Sequence, residues 1–377
     1  MRVSELSEDD LLARIVPLLP RASGIEIASG DDCAVLGLDG PRVAVSTDML
    51  VEGTHFTRQW SSGYDVGWRA AMQNLADSVA MGARPVSLFA SVELPGDLPA
   101  AWVDDFARGM GEAARVAGAG VDGGDLTAGP AICIGVTVVG DLEGRPANLR
   151  GGARPGQKVI HCGRLGFSAA GYELLASGWK DGEEPGRSRQ REAGGRADGD
   201  GPFGNEARAG NGGRAGSEGR PGGGRSGGET DVAARGSDLA ELVACFLRPD
   251  PPLGLALAAC RAGQLGGLMD VSDGLVRDAR RMARASGVWI DLDPEAIGTH
   301  IALLEGRGFS RAKATECVLT GGEDHGFLAT TVGRACEGRV PEGFGVIGTV
   351  TAQAAAGRVT LGGREIEGLG GWDHFSS

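Results

Sequence analysis

Acidic residues recur along this chain beside Gly, Ser or Thr, repeatedly where an apolar run ends. The stations are Asp31-Asp32, Ser46-Thr47-Asp48, Asp77, Gly123-Gly124-Asp125, Asp270-Val271-Ser272-Asp273 and Glu323-Asp324. Oxygen-bearing side chains at strand ends or in Gly-rich turns can converge on one crevice, where α/β proteins tend to place their ligands. Carboxylates brought that close repel, so protons or cations must compensate. No His or Cys cluster accompanies them, and the donor set favours hard, oxygen-loving ions over zinc. Mg2+ takes one or two carboxylates together with substrate phosphate oxygens. Several Mg2+ ions sharing a polyphosphate would therefore account for so many acids. Phosphoryl transfer is the matching chemistry, because it asks a protein mainly for positioning and charge neutralisation. Taken singly, each station also reads as an ordinary Asp-Gly or Ser-Asp turn.

The elements that must position these residues follow from periodicity. Val43-Ala44-Val45 reads as a short buried strand running into Ser46, Thr47 and Asp48 at its carboxyl end. Residues 66–81 read as a helix, on which Asn74 and Asp77 share a face. Ser7 caps a short helix over 7–19, and 25–27 and 33–36 are short strands around an acidic turn. Strands over 87–94 and 131–140 flank a helix over 100–116. A second unit starts near Arg150, with strands over 157–162, 268–271, 288–292 and 344–350 and helices over 239–247, 253–262 and 277–285. Small residues from Gly163 to Gly171 open a further helix, and its free N–H groups make a candidate phosphate seat. Alternating strands and helices give an α/β or α+β class, with domains at 1–150 and 151–377.

Residues 180–236 differ abruptly, being glycine-dense with interleaved arginines and acids. Such a segment cannot bury enough apolar area to offset its ordering entropy, and it reads as a disordered insertion. The formal net charge of −13 disfavours nucleic acid as a partner. No run of about 18 apolar residues suggests a membrane span. Cysteines at 33, 133, 162, 245, 260, 317 and 336 form no C-x-x-C pair, which points to reduced thiols in a soluble cytoplasmic protein. Gly151 and Gly156 have P-loop spacing, but Gln157 stands where the lysine belongs. Gly118, Gly120 and Gly123 fit G-x-G-x-x-G, yet they follow a helix rather than a strand.

Ser29-Gly30-Asp31-Asp32-Cys33-Ala34, Ser46-Thr47-Asp48 with His55-Phe56, and Asn74-Leu75-Ala76-Asp77 through Met81-Gly82-Ala83 come in a telling order. Gly123-Gly124-Asp125, Asp270-Val271-Ser272-Asp273-Gly274-Leu275, Gly321-Gly322-Glu323-Asp324 and Gly371-Trp372-Asp373-His374-Phe375 follow them. Together these motifs resemble the thiamine-monophosphate kinases, over nearly the whole chain outside the insertion. The resemblance implies an aminoimidazole-ribonucleotide-synthetase-like fold, with an N-terminal sheet that pairs in a homodimer and a larger C-terminal α/β domain. It implies transfer of the γ-phosphoryl of ATP to thiamine monophosphate. By similarity, Asp32, Ser46, Thr47, Asp48, Asp77, Asp125, Asp270 and Asp273 would hold several Mg2+ ions, with Asp48 and Asp125 central to catalysis. Gly124, Asp125, Arg150 and Ser272 would contact ATP, and His55, Glu323 and Trp372 the thiamine phosphate.

The chain departs from the pattern in places. Residues 116–120 lack the aromatic that packs on the nucleotide, Asp122 replaces an apolar residue, and His325-Gly326 replaces Tyr-Glu. Two other functions compete: a selenophosphate or aminoimidazole-ribonucleotide synthetase, and a non-catalytic nucleotide-binding scaffold. No Cys or Lys precedes Ser29, against the first synthetase, and the intact set of mutually repelling acids argues against the scaffold.

Overall fold

The computed structural model describes residues 1–27, 33–180, 228–333, 339–352 and 357–366, and of 228–235 the backbone alone. Ser7 caps α1 (Glu8–Ile15) through a reciprocal capping box with Asp10. A small hairpin of β1 (Ile25–Ile27) and β2 (Val35–Leu36) follows. Then come β3 (Val43–Val51), α2 (Gly63–Ala80), β4 (Arg84–Leu94), α3 (Ala100–Ala117), β5 (Gly120–Ala128) and β6 (Cys133–Asp141). These four longer strands form one sheet in the order β3-β6-β4-β5, antiparallel except where β4 runs beside β5. Helices α2 and α3 pack tightly on each other, because a methyl on Gly67 would lie 2.0 Å from the Phe106 carbonyl.

The second half contributes β7 (Lys158–Cys162), α4 (Phe167–Ala176), α5 (Gly228–Leu247), α6 (Leu253–Arg261), β8 (Leu265–Val271) and α7 (Leu275–Ser286). It continues with β9 (Trp289–Leu292), α8 (Pro294–Gly306), α9 (Arg311–Thr320), β10 (Gly326–Thr331), β11 (Gly345–Thr351), β12 (Val359–Leu361) and β13 (Arg364–Glu365). Its sheet runs β13-β12-β9-β11-β7-β10-β8. The two halves share one apolar core, which continues from Leu75 and Ile134 into Leu257, Leu268 and Phe327. A polar clamp reinforces the contact: Glu143, just past β6, accepts from Arg84, Arg145 and, on α6, Arg261.

Several elements differ from the sequence pattern, each for a local reason. β3 does not stop at Asp48 but runs on through Met49-Leu50-Val51, so the acid sits in mid-strand. Gly123-Gly124-Asp125 is no turn; it is the middle of β5, with Asp122 bulged at its start. Cys317-Val318-Leu319-Thr320 closes helix α9, because Ser310 caps that helix and its buried face includes Ala314, Cys317 and Val318. α8 was unforeseen despite an Asp293 cap and Pro294 at its first position. α5 begins at Gly228, inside the stretch expected to be disordered; Glu229-Thr230-Asp231-Val232-Ala233-Ala234-Arg235 contains no helix breaker. The rest of that stretch, 181–227, lies outside the described residues.

Candidate active site

β3 and α2 bring the first acids together. Pleat alternation points Ser46 and Asp48 to one face and Thr47 to the other. Ser46 Oγ donates to the Asp77 carboxylate at 2.8 Å. On α2, Arg69, Gln73 and Asp77 are spaced four apart and form one stripe. The second half supplies Asp270 from the end of β8 and Asp273, Glu323 and His325 from the loops beside it.

Electrostatics show that these residues form one cluster. Burial pushes the Asp77 carboxyl up from 3.8 to about 7, with Asp270 and Asp48 adding to the effect and the Ser46 hydrogen bond opposing it. Asp48 is raised as well, by burial first and then by Asp270, Glu323 and Asp273, while His325 pulls it down. His325 lies between two carboxylates, with Nδ1 3.5 Å from Asp270 and Nε2 3.5 Å from Glu323. Both are ion-pair distances without hydrogen-bond geometry. Burial alone would lower this imidazole, yet its two acidic neighbours raise it and favour the charged form. Glu323 also pairs with Arg69 Nη2 at 2.6 Å. Burial favours its neutral form, but Arg69 and then His325 hold the carboxyl well below the usual range. Glu323 and His325 have φ of 70° and 51°, backbone geometry that non-glycine residues seldom adopt and that concentrates at functional sites.

The neighbouring acid has a different job. Asp324 turns away and accepts from the Gly166 and Ser168 amides at 2.5 and 2.8 Å, at the opening of α4. The helix start expected to seat a phosphate is therefore filled by the protein's own carboxylate. Asp273 is held by Arg281 at 2.6 Å, and Asp278, buried behind it, accepts from the Asp273 amide. His55 stands at the rim: its Nδ1 accepts from the Val51 amide at 3.0 Å, and its carbonyl accepts from Arg69. Neutral His55 therefore carries its proton on Nε2. Asn74 faces its own helix, donating to the Ala70 carbonyl.

Other expected site residues stand apart from this cluster. Thr47 bonds across the sheet to the Val136 carbonyl and to Thr137, on the face opposite Asp48. Asp125 lies in register with Ser91, Gly135 and Met49, exposed on that same opposite face. At roughly 4.8 Å per strand it is about 14 Å from the edge that carries Asp48. Arg150 is exposed, its carbonyl accepting from Ser286 at the far end of α7 from Asp273. Ser272 contributes its carbonyl to the Glu323 amide. Gly124 admits no side chain, since a methyl there would lie 2.1 Å from the Ala90 carbonyl. Asp32 and Trp372 lie outside the described residues.

Beside Gly123–Leu126 opens a cavity of about 790 Å3, walled by Phe89, Val92, Phe106, Met110 and Val121 with Cys33 at its edge. Asp122, the unexpected acid, is buried and accepts from the Ala22 amide and Ser87 Oγ, pinning the bulge beside this cavity. Among the described residues, no three of His, Cys, Asp and Glu stand as a ready-made metal cage. Arg69 and Gln73 were not among the expected residues; their places eight and four residues before Asp77, on one stripe of the helix, were the available signal.

A four-stranded α/β layer joined to a larger α/β unit, with acids meeting across the junction, defines the class: the aminoimidazole-ribonucleotide-synthetase-like proteins. Residues 30–142 match the family model described as AIR synthase related protein, N-terminal domain. The thiamine-monophosphate kinase of Mycobacterium tuberculosis is 34% identical over 99% of this chain and 93% of its own length. That of Corynebacterium glutamicum is 33% identical over 92% and 88%. The solved structure of AaThiL complexed with AMPPCP and TMP superposes with a TM-score of 0.67 at 28% identity, covering 100% of this chain and 99% of that one. The chain belongs to the thiamine-monophosphate kinase family.

Proposed function

We propose that this chain transfers the γ-phosphoryl of ATP to thiamine monophosphate, giving thiamine diphosphate and ADP. The observation that carries the reading is the meeting of Asp48 and Asp77 with Asp270, Glu323 and His325 across the junction of the two halves, in a member of this family. A phosphate oxygen of the acceptor attacks the γ-phosphorus, and the bond to the β,γ-bridging oxygen breaks. The acceptor's second ionisation lies near 6, so at neutral pH it is already a nucleophile and needs no side-chain base. His55, as the family resemblance implies, and the Arg69-held Glu323 would orient this substrate. The purine of ATP fits the apolar cavity beside Gly124 and Asp125, with Phe89 and Phe106 in place of the aromatic absent from 116–120.

Mg2+ fits the donor set. Asp77 and Asp48 are half-buried beside Asp270 and disfavoured as anions, the state that a hard cation relieves. Asp48, Asp77 and Asp270, with Ser46 behind them, would hold it; Asp273 would join on leaving Arg281, and Asp32, Thr47 and Asp125 complete the set that the family resemblance implies. When bound, the metal neutralises phosphate oxygens during transfer. The outward face of β3 carries exposed Val43, Val45 and Met49, an apolar strip suited to the homodimer. A division at about residue 150 separates the two sheets. No helix of the described residues is long and apolar enough to cross a membrane. Together with buried thiols at Cys162, Cys245, Cys260 and Cys317, that suits a cytoplasmic setting.

Incubation with ATP, Mg2+ and thiamine monophosphate, resolved by chromatography, tests the function. Formation of thiamine diphosphate supports it; an unchanged monophosphate peak refutes it.

A further inference from the structure

One side chain joins both halves of the cleft without belonging to the expected site. Arg69 projects from α2 on the same stripe as Asp77, and only 3% of it is exposed. Its Nη1 donates to the His55 carbonyl at 3.1 Å. Its Nη2 pairs with Glu323 at 2.6 Å. Its guanidinium carbon lies 5.0 Å from the centre of the Phe246 ring, on α5. Its Nε is buried with no hydrogen-bond partner.

We infer that Arg69 is a positioning residue for the acceptor phosphate ester, fixing His55 from one half and Glu323 from the other in a single arrangement. The inference rests on the kinase reading of the site. An ion pair buried only on the Arg69 side is a weak source of stability, and an apolar side chain of similar volume would pack under Phe246 at least as well. What only a guanidinium does at this place is hold two acceptors at fixed angles while stacking on a ring. The acceptors are well chosen for that role. Holding the His55 carbonyl fixes the backbone that carries the imidazole at the rim, and Glu323 belongs to a segment with positive φ at residues 323 and 325. Backbone of that kind persists only where its surroundings hold it. The other restraints on this segment are the Glu323 and His325 amides to the Ser272 and Val271 carbonyls, Ser168 Oγ to the Glu323 carbonyl, and the Asp324 carboxylate on the Gly166 and Ser168 amides, and all of these lie within the C-terminal half. Among the described contacts of Glu323, Arg69 is the one that refers the segment to the N-terminal half, where Asp48 and Asp77 sit.

The test uses the full chain with two variants, Arg69→Met, which keeps volume without charge, and Arg69→Lys, which keeps charge without the fork. Steady-state kinetics gives KM for thiamine monophosphate and for ATP separately, and amide exchange follows residues 321–326. Arg69→Met is expected to raise KM for thiamine monophosphate by about tenfold, the scale of losing one partner of a half-buried charge pair. KM for ATP should stay within about twofold, and amides at 321–326 should exchange faster while β3 is unaffected. Arg69→Lys should restore part of the thiamine monophosphate effect. Adding Glu323→Gln to Arg69→Met should do little more than either change alone, since residues acting through each other are not additive. An unchanged KM for thiamine monophosphate, an equal rise in both KM values, or faster exchange throughout the chain would overturn the inference. Should Arg69→Met not fold, Arg69→Lys combined with Glu323→Gln decides the same question. A wild-type protein that fails to phosphorylate thiamine monophosphate refutes the kinase reading instead, and exchange at 321–326 still decides whether Arg69 positions that segment.

Discussion

Asp77→Asn should make the metal-free protein more stable and much less active. In the folded chain the Asp77 carboxyl is displaced from 3.8 to about 7, by burial first and by Asp270 and Asp48 next. A carboxyl raised on folding contributes fully below its unfolded value, and that contribution is lost as pH rises through the folded value. The loss therefore runs from about pH 4 to pH 7 and is complete above it. At about 1.4 kcal/mol per pH unit the displacement corresponds to about 4 kcal/mol at pH 8. Asp48 and Asp270 share the repulsion and stay behind in the variant, so roughly 1–3 kcal/mol should be recovered. The Ser46 hydrogen bond survives, because the Asn carbonyl can still accept it. The assay is thermal or urea unfolding in chelator at a series of pH values. The variant should match wild type at pH 4 and exceed it increasingly up to pH 8, while Mg2+ with ATP stabilises wild type more than the variant. A variant equal to or less stable than wild type at pH 8, or a difference independent of pH, would refute the reasoning.

Asp48→Asn keeps the shape of the site but removes a charge at its centre, and turnover at saturating Mg2+ should fall by about 100-fold or more; near-normal steady-state rates would remove Asp48 from the site. Gly124→Ala drives a methyl against the Ala90 carbonyl, so β5 must shift beside the cavity. KM for ATP should rise with that for thiamine monophosphate little changed, and equal effects on both would count against the nucleotide assignment. Asp324→Ala uncaps α4 and should lower unfolding stability by roughly 1–2 kcal/mol. Affinity of the folded variant for thiamine monophosphate, measured by calorimetry, should stay near wild type, because Asp324 faces the helix and not the cleft.

Much of the architecture could be read from the sequence because apolar periodicity survives folding: β3, α2, β4, α3 and β6 stand close to their expected places. What the pattern missed turns on tertiary context. Glycines at 123 and 124 suggest a turn, yet they let β5 lie close against β4, where a side chain would collide. Ser46, Thr47 and Asp48 look like one ligand cluster, but the strand continues and alternation sends Thr47 to the other face. Glu323 and Asp324 look like a pair, and positive φ at 323 and 325 sends one to the cleft and the other to cap α4. Residue types and spacing named the acids at 48, 77 and 270, which the fold brings together. The pairing of Arg69 with Glu323 crosses the junction of the two halves and has no local sequence signal.

The most direct measurement follows ATP labelled at the γ-phosphorus in the presence of Mg2+ and thiamine monophosphate. Direct transfer between the two substrates predicts label in the terminal phosphoryl of thiamine diphosphate, matched one for one by ADP, with ADP formation dependent on thiamine monophosphate. Label released as inorganic phosphate, or ADP formed equally without the acceptor, would contradict a thiamine-monophosphate kinase and favour synthetase chemistry on the same fold.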